Sequence, residues 1–100
     1  MTNDLRAIER DAFDAQKRGD YAKAIELWVR LLERQGNWEH GYARHSLADC
    51  YERLGQFDEA EKQLAEAVRI APNDKLFSEA LSSLREARKA GLLKEGEAPT

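Results

Sequence analysis

Cysteine occurs once in this chain, at Cys50, so no disulfide can form within it, which fits a reducing compartment. A lone thiol inside an apolar-patterned stretch is expected to be a small buried hydrophobe; a reactive one would need an exposed, electropositive setting. Long apolar runs are missing as well, and none approaches the span of a membrane helix. The start, Met1-Thr2-Asn3-Asp4-Leu5, lacks the basic opening and apolar centre of a signal peptide, so a soluble, cytoplasmic protein without a membrane partner is expected. Neither sign of charge prevails: 16 Lys and Arg against 19 Asp and Glu are interspersed and leave a net −3. Without a concentrated basic face, nucleic acid is not an expected partner. No glycine loop for phosphate and no nucleophile motif occurs. His40, His45 and Cys50 follow one another at intervals of five, which does not gather them on one helical face for a metal. Pairs such as Glu59 with Glu61 and Asp11 with Asp14 read as solvated helix surface rather than acid and base. The chain is therefore expected not to be an enzyme, and to hold no cofactor, metal or small-molecule substrate.

What is present is helical patterning. One hundred residues suffice for one small core, and a charged fraction of 35% with only 8% aromatics suits thin helical layers with much wetted surface. The organising stretch is residues 41–74. Leu47, Ala48, Tyr51 and Leu54 form one stripe, and Phe57, Ala60, Leu64, Ala67 and Val68 form another. Gly55 stands between them, where a helix must stop in a left-handed cap, and Pro72 closes the second stripe. Two antiparallel helices follow from this. Ala48, Ala60 and Ala67 let the backbones approach, while Tyr51, Phe57 and Leu64 fill the remaining space.

This spacing resembles the tetratricopeptide repeat. With Gly41 as its first position, the pattern is met by Leu47, Ala48, Tyr51, Gly55, Phe57, Ala60, Ala67 and Pro72, followed by Asn73-Asp74. Arg44 departs from it, standing where the family often has tryptophan. Residues 4–18, with Leu5, Ile8, Ala12 and Ala15 on one side, and Tyr21, Ala24, Trp28, Leu31 and Leu32 after Gly19-Asp20, read as a first, weaker copy. The equivalent glycines lie 36 residues apart (55 − 19), two beyond the usual period. That surplus, at Gly36-Asn37-Trp38-Glu39-His40, reads as a turn and an early helix start capped by Asn37. The longer period also looks like the related Sel1-like repeat.

Beyond Pro72, Asp74 is placed to cap a fifth helix with Phe77, Ala80, Leu81, Leu84 and Ala87 on its apolar side. Gly91 would end it, with Leu92 packing back beside Ala87. The resemblance thus implies an all-α fold, a right-handed α-α superhelix of two helical hairpins plus a C-terminal capping helix. Its expected division is a single domain over 1–91 (repeat 1 about 5–38, repeat 2 41–74, capping helix 75–90) and a flexible tail at 92–100.

The resemblance further implies a concave groove, lined by the first helix of each hairpin, that binds a peptide or helix of a partner protein. The groove places fall on Arg6, Glu9, Arg10, Phe13 and Lys17, on Tyr42, His45, Ser46, Asp49 and Arg53, and on Glu79 and Ser83 in the last helix. Phe13, off the core stripe, is either a binding anchor or a packed neighbour of the next helix, the second being slightly favoured. Some members hold a chaperone's terminal carboxylate with lysine, asparagine and basic residues; Glu9, Phe13, Ser46, Leu76 and Ala80 stand at those places, so this mode is expected to be absent. Two hairpins are fewer than such stacks usually need, which makes a homo-oligomer the alternative, with Trp38, Leu92 and Leu93 as the exposed patch.

Overall fold

The computed structural model describes residues 4–99. Five helices occur in order: α1 (Leu5–Lys17), α2 (Tyr21–Arg34), α3 (Tyr42–Arg53), α4 (Phe57–Ile70) and α5 (Lys75–Lys89). Among the described residues there is no strand. Consecutive helices pack on one another, giving two hairpins and a C-terminal helix in a body of 48 × 30 × 18 Å.

The helix ends follow from their flanking residues. Asp4, Asp20 and Asp74 each accept an amide of the first turn, at 3.0, 3.2 and 2.9 Å, and so cap α1, α2 and α5. Gly19, Gly55 and Gly91 end α1, α3 and α5 in the left-handed conformation, with φ of 77°, 75° and 75°. After each, the next amide bonds back across the cap: Asp20 to Ala15, Gln56 to Tyr51 and Leu92 to Ala87, at 2.9, 2.8 and 3.0 Å. The third turn therefore repeats the first two at the same spacing of 36 residues. Its hydrogen bond is as expected, but its packing is not: the Leu92 side chain is 75% exposed, and Leu93 lies against the core instead.

Two apolar clusters run along the stack. In the first, Trp28, Leu31 and Leu47 are buried among Ala12, Ala15, Ala24 and Ala43, and Cys50 is fully enclosed with them. In the second, Phe57 and Leu64 meet Leu81 and Leu84 across Ala48 and Ala60. Tyr51 packs against both and joins them. The small residues lie where backbones come closest, as the alternation of sizes predicts.

The link between the hairpins differs from its expected form. Helix α3 begins only at Tyr42, and the early helical turn that does follow Asn37, whose side chain makes no cap hydrogen bond, is a short 3₁₀ turn, Trp38–Gly41. Within it Glu39 (φ 50°, ψ 42°) and His40 (φ 52°, ψ 40°) are left-handed, and Gly41 follows at φ 96°. This coil takes up the two surplus residues. It holds a non-glycine conformation that costs about 1 kcal/mol or more per residue. An ion pair from Arg6 to Glu39 at 2.5 Å helps to hold it. Arg44, the departure from the family pattern, ties the same link to α4 by donating to the Gly36 carbonyl (3.3 Å) and to Gln63 (2.8 Å).

The segment after α5, expected to be a flexible tail, makes defined contacts over residues 93–97. Gly96 N–H donates to the Gly55 carbonyl at 2.8 Å, and Glu95 accepts from the Asp58 amide at 2.7 Å. A polar composition shows little to bury, yet backbone and carboxylate groups can be satisfied by a neighbouring turn.

Candidate functional site

The first helices of the stack, α1, α3 and α5, carry a continuous path of rings. Phe13 of α1 meets Trp28 of α2 edge-on at 4.9 Å between centroids and approaches Tyr42 of α3 at 6.5 Å. Tyr42 leads to His45 at 6.0 Å, and His45 to Phe77 of α5 at 5.7 Å. Such offset or tilted pairs at 4.5–7 Å favour one another beyond mere area burial. The path rises from the core and returns to it: Trp28 and Phe77 are buried, Phe13 and His45 are half-buried, and Tyr42 between them is 42% exposed. Phe13 thus serves as a packed neighbour while keeping part of its ring at the surface.

Beside this path lies a hollow of about 470 Å³ lined by Phe13, Gln16, Lys17, Tyr21, Asp49 and Arg53. Its floor is aromatic and its rim charged. Arg53 lies 5.9 Å from the Tyr21 ring and 3.7 Å from Asp49, a loose and exposed arrangement that leaves the guanidinium able to turn to another carboxylate. Gln16 is already committed, accepting from the Trp28 indole N–H at 2.7 Å.

The ten residues of the two hairpins placed on the groove from sequence divide into four groups. Phe13, Lys17, Tyr42, His45, Asp49 and Arg53 lie along the ring path and the hollow. Arg6 and Glu9 face the inter-hairpin link: Glu9 accepts from the Trp38 indole at 2.8 Å, while Arg6 lies 4.8 Å over the Trp38 ring and pairs with Glu39. Arg10 is exposed beside Asp11 at 3.8 Å. Ser46, only 5% exposed, is turned into the packed interior and offers no surface. Trp38, expected in an exposed patch, is half-buried against the first cluster. Tyr21 and Phe77, which the sequence pattern assigns to core stripes, also reach the hollow and the ring path.

Burial sets the ionisation here. Among the rings, desolvation holds the His45 pKa below its ordinary value, outweighing the opposing pull of Asp49 and Asp74. The folded state thus favours the neutral imidazole. Its contribution to stability is complete above the unfolded value of about 6.5 and is lost as pH falls through the lower folded value. Urea midpoints measured from about pH 7 to about pH 5.5 are expected to fall more steeply for the native chain than for His45→Phe, which keeps a ring but cannot charge. In the core, burial pushes the Cys50 thiol up to about 12, so at neutral pH it is no nucleophile.

No group of three or more His, Cys, Asp or Glu suited to a metal occurs among the described residues, and no helix there is long and apolar enough to cross a membrane. The helices and their turns together define a helical-hairpin repeat protein. The chain belongs to the tetratricopeptide repeat family, whose sequence profile matches residues 15–84. Two curated relatives, both Hsp70-Hsp90 organising proteins, one from Plasmodium falciparum and one from its isolate 3D7, are 33% identical to it over 67 residues. The match takes in 67% of this chain but only 26% and 12% of theirs, so the chain spans about a quarter or less of their length. Family and relatives alike support a protein–protein interaction module.

Proposed function

We propose that the face carrying Phe13, Tyr42 and His45, with the hollow beside it, receives a peptide or helix of a partner protein. The single observation that carries this reading is the ring path, which runs across three helices from Phe13 to Phe77 and surfaces at Tyr42, 42% exposed. Aromatic groups held rigid by their neighbours lose little entropy on binding and are the usual anchors of an interface. The relatives' name speaks of Hsp70 and Hsp90, which makes a chaperone a partner worth testing. A terminal carboxylate would nevertheless find no cation at Glu9, Phe13, Ser46, Leu76 and Ala80, so the partner is engaged through apolar and aromatic contact.

Quantitative affinity capture with the native chain, Tyr42→Ala and Phe13→Ala tests the reading. Tyr42→Ala is expected to weaken a captured partner by about 2 kcal/mol, roughly thirtyfold, with helicity unchanged. Retention of every partner at native affinity by both folded variants would remove the assignment. The alternative, self-association, draws on the exposed Leu76 and Leu92, 48% and 75% accessible, at the last helix. A concentration-dependent rise in mass on sedimentation, abolished by Leu76→Lys, would favour it.

A further inference from the structure

The two hairpin turns have the same backbone but different surroundings. At Gly19 a Cβ would meet nothing within 4 Å; at Gly55 it would lie 2.4 Å from the Glu97 carbonyl carbon. The helices that follow also differ. Asp20 caps α2 with its own side chain, whereas Gln56 makes no side-chain cap to α4. At the uncapped start of α4 a carboxylate from elsewhere is in place: Glu95 Oε1 accepts from the Asp58 amide at 2.7 Å. Asp58 stands two residues past Gln56, at the position whose amide a helix cap normally satisfies.

The surrounding groups fit that service. Gly96 N–H donates to the Gly55 carbonyl at 2.8 Å, and Leu93 packs on the second cluster. Arg88 reaches Asp58 at 2.5 Å and Glu61 at 3.0 Å, and lies 3.8 Å from Glu95, which offsets three carboxylates gathered at one edge. We propose that residues 93–97 form a latch, in which Leu93 seats on the core and Glu95 supplies the N-cap that Gln56 does not. The C-terminal segment, and not the helix's own flank, then governs the local stability of the second hairpin, and only a turn with glycine at position 55 can receive it.

The test is a cycle of variants in the full chain, read by urea unfolding and by hydrogen exchange of the Asp58 amide. Glu95→Ala, on an exposed side chain, leaves the core intact. In the native background it is expected to raise the unfolding equilibrium constant about fivefold and to speed Asp58 exchange by a similar factor, the usual worth of a cap. Exchange at Lys23, held by Asp20, should not change. Gln56→Asp restores a local cap, so in that background Glu95→Ala is expected to have no effect on either readout. Equal losses in both backgrounds, or no loss in either, would overturn the latch.

Discussion

Trp28→Ala is expected to lower stability by about 3–5 kcal/mol, the cost of removing a large aromatic side chain from a packed interior. Trp28 is wholly buried in the first cluster, and its indole N–H donates to Gln16. Domains of this kind carry roughly 5–15 kcal/mol in all, so one substitution would remove a large part of it. Phe13 would lose the ring it meets edge-on, and with it the inner end of the path to Tyr42. The expected result is a large fall in the urea midpoint with little change in slope. Trp28→Phe, which retains most of the volume but leaves Gln16 without its donor, should cost about 1–2 kcal/mol. Similar costs for the two variants would mean that the site collapses around the loss.

Gly41→Ala is expected to cost about 2–4 kcal/mol, from two separable causes. A side chain at φ 96° is strained by about 1–2 kcal/mol. In addition, the new Cβ would stand 3.1 Å from Phe77 and 3.4 Å from the Ala67 carbonyl, in a place where three helices converge. Gly19→Ala has the first cause alone, with φ 77° and open space around it, and should cost about 1 kcal/mol. Denaturant unfolding of the pair isolates the packing term. Equal losses would place Phe77 on a side chain able to yield.

These two sites show how unevenly the structure could be read in advance. The bends at Gly19, Gly55 and Gly91 and the cap at Asp74 were legible because each depends on residues within one helical turn. The core was legible for a related reason: at helical periodicity, Trp28, Leu47, Phe57 and Leu64 can bury themselves only on one side. Among the candidate contact residues, Phe13 and Tyr42 could be assigned to the first helices of the hairpins from their positions on the repeat. Ser46 could not, because a small polar residue carries no sign of which neighbour covers it. Trp38 was misplaced since the group that holds it, Glu9, lies 29 residues earlier.

The amino-acid order alone determined the kind of object: five helices, their bends, their apolar stripes and the family to which they belong, all encoded in spacings shorter than a single repeat. Tertiary structure alone decided the left-handed link at Glu39 and His40, the ring path from Phe13 to Phe77, and the return of Glu95 to the start of α4. The reason is physical. Helix formation and capping are settled by neighbours along the backbone, whereas these features join groups from separate helices whose proximity exists only once the hairpins have stacked.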